Sequence, residues 1–196
     1  VYALNPDLMH VLPSKTRFLP YASIDLKKWK PSFLTKKSNK LRIGHAPTNR
    51  DVKGTEAIIN ALEMLRIEGY EFEFILIENL SNLKAKEIYN TLDIFIDQIY
   101  AGWYGAVAVE LMALGKPVMV YIRESDLKFI PPKMKEDLPF LRTEPKTLLN
   151  DLANMFNMPE DKFLELSYSS RKYVEDWHDP EKIVRGIHQE IINLFE

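Results

Sequence analysis

An acid set in an oily stretch is the first feature that could do chemistry. Glu110 lies between Val109 and Leu111, within a run from Ala106 to Leu114 that is otherwise apolar. Read as a helix, this run puts Glu110 on one face with Ala106, Val107 and Leu114, so its carboxylate is expected to be partly buried. Withdrawing an ionised carboxylate from water is costly unless donors replace the lost solvent. A vicinal diol such as a ribose offers two hydroxyl donors to the two oxygens, and a backbone amide or a lysine would serve as well. The same helix starts with Gly105 and Ala106, which are small enough to let a ligand approach the backbone. First-turn N–H groups have no helical partner and carry the positive end of the dipole. Backbone at Gly105, Ala106 and Val107 is therefore a candidate cradle for a diphosphate. With the acid one turn along, the two contacts suit a nucleotide.

A second cluster is Arg50-Asp51-Val52-Lys53-Gly54-Thr55. Arg50 and Lys53 stand just before a predicted helix, where cations have the wrong sign for the dipole. An anion between them would remove that conflict; a solvated loop is the plain alternative. Asp97 closes an apolar strand and could hold a ligand or serve the fold. His45, near the end of another strand, is read first as structural. Glu78 and Asn79 follow a third strand and could lie near a base. Trp103 and Tyr104 are expected to pack on the sheet rather than stack on a ligand. The four histidines are scattered, so the residues show no metal-ligand cluster, which is compatible with a site that uses no metal and no cofactor.

These residues need elements to position them. Leu41–Ala46 reads as a strand running into a loop at Pro47–Gly54. Ile58, Ile59, Leu62 and Leu65 have helical spacing over Thr55–Ile67. Strands are predicted at Phe72–Ile77, Leu92–Asp97, Pro117–Ile122 and Leu138–Arg142. Helices are predicted at Leu83–Thr91, Trp103–Leu114 and three later stretches near 145–156, 160–175 and 180–195. Asp179 and Pro180 mark the start of the last one. Alternation of this kind implies an α/β fold, a Rossmann-like parallel sheet with helices on both faces. In such sheets ligands sit beyond the carboxyl ends of the strands, where every candidate above falls. Residues 1–40, broken by Pro6, Pro13, Pro20 and Pro31, read as an incoming segment and linker. Residues 41–178 read as the domain, and 179–196 as a closing helix.

Composition sets the outer bounds. With 196 residues, 46% hydrophobic and 28% charged, the chain is long enough to bury a core unaided. It has no cysteine, which fits a reducing compartment such as the cytoplasm. A formal net charge of −2 gives no reason to invoke nucleic acid. No apolar run is long enough to span a bilayer, and the first ten residues do not resemble a signal peptide. Seven basic residues and no acid occur between Lys27 and Arg42. They read as a solvated linker, or alternatively as a peripheral contact with an anionic membrane surface. The chain opens at Val1 without an initiator Met, as an excised or processed piece would.

Taken together, Arg50-x-x-Lys53-Gly54, the stretch from Gly102 to Glu110, and Ala113-Leu114-Gly115-Lys116-Pro117-Val118 resemble the group 1 glycosyltransferases of GT-B fold. Leu19–Leu26 is similar to that family's interdomain segment, and Trp177-His178-Asp179-Pro180 to its approach to the final helix. The resemblance covers nearly the whole chain. It implies a C-terminal donor-binding domain of a retaining, metal-independent enzyme, whose acceptor is held by an N-terminal domain of the same parent chain. The donor would be a nucleotide-diphosphate sugar, a UDP-sugar being favoured, and the piece alone would not turn over. It also implies roles: Glu110 for the ribose hydroxyls, backbone at Gly105, Ala106 and Val107 for the diphosphate, and Lys53 assisted by Arg50 for the leaving group. Two positions depart from the pattern. The family often has a glutamate eight residues before the second one, contacting the transferred sugar; Gly102 stands there, and Asp97 could substitute. Where the family often has an arginine after its first strand's glycine, His45 stands, with Arg50 able to supply the charge. A non-catalytic nucleotide-binding module and a GT-B nucleotide-sugar epimerase are the alternative readings.

Overall fold

The computed structural model describes residues 1–193. Two two-residue strands, β1 (Tyr2–Ala3) and β2 (Arg17–Phe18), pair in parallel and frame a short 3-10 turn at Pro6–His10. The main sheet begins at β3 (Leu41–His45), followed by α1 (Arg50–Lys53), α2 (Thr55–Ile67), β4 (Phe72–Leu76), α3 (Asn82–Thr91), β5 (Ile94–Ile96), α4 (Ala106–Ala113) and β6 (Val118–Val120). A 3-10 turn at Glu124–Phe129 and α5 (Pro132–Glu136) lead to β7 (Leu141–Arg142), and α6 (Leu148–Phe156), α7 (Glu160–Trp177) and α8 (Pro180–Ile192) complete the chain.

The five main strands are all parallel, in the order β4-β3-β5-β6-β7. The predicted fold class is thus the observed one. Alternation along the strands divides the interior into two cores. Ile94, Ile96 and Met119 face α2 and α6, meeting Ile58, Leu62, Leu65, Leu152 and Met155. Phe95, Val118 and Val120 face the other way, toward α4 and Tyr173 and Val174 of α7. Strands β5 and β6 are fully buried, which is why they read as continuous apolar runs. Helix α4 is apolar nearly all round because the sheet lies under it and α7 over it.

Chain order reverses between β3 and β5: β4 is added outside β3 on one side, and β5, β6 and β7 on the other. That reversal makes a crevice at the strands' carboxyl ends, the place where ligands bind in open α/β sheets.

Several boundaries differ from the sequence reading. The loop predicted at Pro47–Gly54 contains a helical turn, α1, because the Asn49 side chain accepts from the Val52 amide at 3.0 Å and Gly54, at φ 75°, closes the turn. Helix α4 starts at Ala106 rather than Trp103, because Trp103 and Tyr104 are buried in the core. The strands at 92–97, 117–122 and 138–142 are each shorter than predicted.

The linker is fastened to the domain. Arg171 Nη1 donates to the carbonyls of Trp29 at 2.6 Å and Ala113 at 2.8 Å. Lys37 Nζ donates to the carbonyls of Phe156 and Met158, at 2.6 Å each, closing the end of α6. Several other bases of the Lys27–Arg42 stretch are answered locally, Lys28 by Asp25 and Arg42 by Glu73. Among the described residues no helix is long and apolar enough to cross a membrane.

Candidate functional site

The crevice at the β3/β5 reversal is closed from below by three groups. Lys53, at the end of α1, sends its amine inward to Asp97 Oδ1 at 2.5 Å. Asp97, just past β5 and 0% exposed, gives its other oxygen to the Gly105 amide at 2.7 Å. One buried carboxylate thereby ties the loop after β3 to the residue that caps the start of α4. The Ile99 amide adds a second tie, donating to the Lys53 carbonyl at 3.2 Å. Gly105 leaves room for this: a Cβ there would lie 3.2 Å from the Lys53 amine.

Above this bracket the first turn of α4 faces outward. Ala106 is exposed and Gly105 and Val107 half-buried, and the amides of Ala106 and Val107 have no acceptor among the described residues. Lys53, with one ammonium hydrogen given to Asp97, has two left. The arrangement offers an anion two amides, the positive end of a helix and a partly compensated cation.

One turn further along α4, Glu110 is half-buried and accepts no hydrogen bond from any described residue. Burial raises its pKa above the usual carboxylate range, only partly offset by the Lys86 ammonium on α3. A carboxylate in this state lacks the donors that would keep it charged. A cleft of about 380 Å³ opens one turn before it, at Val107 of α4, lined also by Ala46, Pro47 and Thr48 after β3, Ile77–Leu80 after β4, and Asn82, Ala85 and Tyr89 of α3; Glu110 itself is not part of the lining.

The remaining predicted residues divide. Glu78 and Asn79 line that cleft, Asn79 with φ 56°, a left-handed conformation that asparagine tolerates. Arg50 lines it too, but its guanidinium is held by Glu78 at 2.9 and 3.2 Å and by Glu56 at 3.0 Å. Arg50 and Lys53 therefore do not share one anion in this arrangement. Their conflict with the helix dipole is relieved by carboxylates, and Arg50 points outward while Lys53 points inward. His45 is 0% exposed and both its nitrogens are occupied. Nδ1 donates to the Ile96 carbonyl at 2.8 Å, so Nε2 must accept from the Thr55 hydroxyl at 2.9 Å. Burial lowers its pKa and keeps the ring neutral; it joins β3, β5 and α2 and offers nothing to a ligand. Asp97 likewise has no exposed surface and acts through Lys53 and Gly105. Gly102 is covered by the Arg123 side chain, whose guanidinium carbon would lie 3.3 Å from a Cβ at that position. Where the resemblance expects an acid, the structure has an arginine that also pairs with Asp126 at 3.2 Å.

Trp103 and Tyr104 pack, as expected, at 2% and 0% exposure. Tyr104 also anchors the lead-in to α4 through a directed chain. His178 Nδ1 donates to the Tyr21 carbonyl at 2.8 Å, so its Nε2 accepts from Tyr104 Oη at 3.0 Å, and Tyr173 Oη donates to Tyr104 at 2.9 Å. Burial pushes the His178 pKa down to about 4, which keeps the ring in the neutral tautomer the chain requires.

Sequence reasoning passed over Tyr89 and Arg123. Ala85 and Tyr89, four apart on α3, carry the only signal that Tyr89 turns inward. Nothing local marks Arg123, which reaches Gly102 from the loop after β6.

No protein-family model matches this chain, and no curated protein matches it. Solved structures do. A sucrose-phosphate synthase from Thermosynechococcus elongatus superposes with a TM-score of 0.68 at 18% identity, over 100% of this chain and 58% of that one. HepE from Anabaena, in complex with UDP-glucose, gives 0.66 at 14% identity, over 98% and 63%. A glycosyltransferase from Rickettsia africae gives 0.71 at 14% identity, over 100% and 63%. This chain thus spans less than two thirds of the length of each. At such identities the likeness is one of fold, and by fold the chain is a Rossmann-like domain of the kind that forms the C-terminal half of GT-B glycosyltransferases.

Proposed function

We propose that this chain is the donor-binding half of a retaining glycosyltransferase, holding a nucleoside-diphosphate sugar, with a UDP-sugar favoured, while another domain holds the acceptor. The observation that carries this reading is Glu110: half-buried, without a protein donor, and one turn beyond the unpaired amides of Ala106 and Val107. A ribose would bring two hydroxyl donors to the carboxylate, and the diphosphate would take the amides and the free hydrogens of Lys53. The base would enter the cleft beside Glu78 and Asn79. As the bond from the sugar to the diphosphate breaks, negative charge grows on the leaving oxygen. Donors already in place lower that barrier without reorganising. Lys53 is the group proposed to act on that charge, and Asp97 fixes where its amine points. Arg50 steadies Glu78 at the cleft mouth. The likeness to HepE, solved with UDP-glucose, supports a uridine nucleotide; the retaining outcome rests on the sequence resemblance.

The Arg123 side chain over Gly102 favours a second reading, a nucleotide-binding module that transfers nothing. The discriminator is whether the full-length parent transfers sugar and loses that activity in Glu110→Ala. Calorimetric titration of this chain with UDP, GDP and ADP tests the site itself. One nucleotide should bind with a Kd between roughly millimolar and micromolar, about −4 to −8 kcal/mol, and Glu110→Gln should weaken it at least 10-fold. Equal affinity in Glu110→Gln and the unaltered chain would remove Glu110 from the site.

A further inference from the structure

Tyr89 of helix α3 brings to the cleft a polar group that the reading above leaves unused. Tyr89 is 5% exposed, with its ring edge-on to Phe95 at a centroid distance of 6.3 Å. The ring is therefore fixed by the core. Its hydroxyl makes no hydrogen bond to any described residue, yet it is not among the buried polar atoms sealed without a partner. Tyr89 lines the cleft opposite Val107, and Val107 is one turn before Glu110 on α4. Lys86, one turn before Tyr89 on α3, is the cation that acts on Glu110. The Lys86 amine is turned to the linker, donating to the Lys28 carbonyl at 2.9 Å over the Trp29 ring, while the charge of Glu110 reaches Tyr89. A rigid hydroxyl at the cleft and a carboxylate one turn past cleft-lining Val107 are thus both without a partner among the described residues.

We infer that Tyr89 is a second group reading the ribose, donating its hydroxyl hydrogen to a ribose hydroxyl oxygen whose own hydrogen goes to Glu110. The two protein groups are complementary. A carboxylate only accepts, whereas a hydroxyl of the ligand can donate and accept at once. Glu110 alone leaves the lone pairs of the ligand hydroxyls unmatched, and Tyr89 supplies a donor to one of them. Burial and the nearby carboxylates of Glu110 and Asp97 push the Tyr89 pKa up to about 12, so the phenol keeps its hydrogen throughout the neutral range. This assignment rests on the donor-site reading and sharpens its ligand class to ribonucleotides over deoxyribonucleotides.

The test is Tyr89→Phe, which keeps the packed ring and removes only a hydroxyl that holds nothing in the protein. Titration of both forms with UDP, 2′-deoxy-UDP and 3′-deoxy-UDP reads the contact directly, with thermal melting alongside. The variant should melt within a few degrees of the unaltered chain and bind UDP roughly 3- to 10-fold more weakly. It should lose no further affinity for the deoxynucleotide that lacks the contacted hydroxyl. UDP binding unchanged by Tyr89→Phe would overturn the inference, as would equal weakening of all three ligands. A variant that melts far lower would show the hydroxyl to be structural, which also refutes it. Should the unaltered chain bind no nucleotide, the donor-site reading itself fails, an outcome separate from an indifferent Tyr89→Phe in a chain that binds UDP.

Discussion

The bracket of Lys53, Asp97 and Gly105 should be the most sensitive point of the domain. Lys53→Met removes the cation from a carboxylate with 0% exposure, leaving it a single amide donor. Breaking one side of a buried ion pair typically costs about 3–5 kcal/mol, because the remaining charge has neither partner nor water. Domains have a total stability of about 5–15 kcal/mol, so a large fraction is at stake. At about 2–4 °C per kcal/mol for this size, the melting midpoint should fall by about 6–20 °C. Asp97→Asn should cost less, since the amide oxygen can still accept from Gly105 and Lys53 lies nearer the surface. In Lys53→Met/Asp97→Asn the orphaned charge is gone, and the cycle should return a coupling of about 1–3 kcal/mol. Urea denaturation of the four forms, followed by circular dichroism, measures it. Nucleotide titration separates structure from function: Lys53→Met should still weaken UDP binding when Asp97 is already Asn. A Lys53→Met chain within about 1 kcal/mol of the parent would refute the view that this pair holds the two loops together.

Acid should destabilise the fold in a defined window. His178 takes up a proton near pH 6.5 when unfolded and only near pH 4 when folded. The unfolded state therefore binds more protons between those values, and stability, complete above the upper one, falls by about 3 kcal/mol as pH drops to the lower. His45, also lowered by burial, adds in the same direction. Denaturant midpoints across pH 7.5 to 4 check this, and His178→Phe should flatten the profile while costing about 2–4 kcal/mol through the unpaired Tyr104 hydroxyl and Tyr21 carbonyl. Ligand binding should also weaken in acid: a ligand that donates to the Glu110 carboxylate binds best when that group is ionised, and burial has raised its pKa. UDP affinity should thus fall as pH drops through the Glu110 titration, and Glu110→Gln should remove that slope in calorimetry. Gly54→Ala should destabilise by about 1–2 kcal/mol or more, because φ is 75° and the new methyl would meet Ile99; the readout is the urea midpoint.

Much of the architecture was legible because long periodic segments announce themselves. The apolar spacing of Thr55–Ile67 matched α2 residue for residue, and the uniformly apolar 94–96 stretch became a central strand. What stayed hidden was set by contacts distant in sequence. Four residues are too few to show a helical period, so α1 escaped notice. Nothing near Arg50 signals that Glu56 and Glu78 hold it, and nothing near Gly102 signals Arg123. The stretch around Glu110 was readable for the opposite reason: the lead-in, the amides and the acid all lie within one short segment. His45 shows the limit from the other side, since its two partners, Ile96 and Thr55, come from separate elements.

The inward lysine has a consequence for selectivity. Since Asp97 already balances Lys53 at contact distance, the floor of the crevice presents oriented dipoles rather than net charge. A chloride or a lone phosphate gains little there, as no long-range field draws it in. Tight association has to be assembled from many short, directional contacts made at once, which only a ligand of the right length can reach. Under the proposed donor-site reading, discrimination by such a surface would depend only weakly on ionic strength.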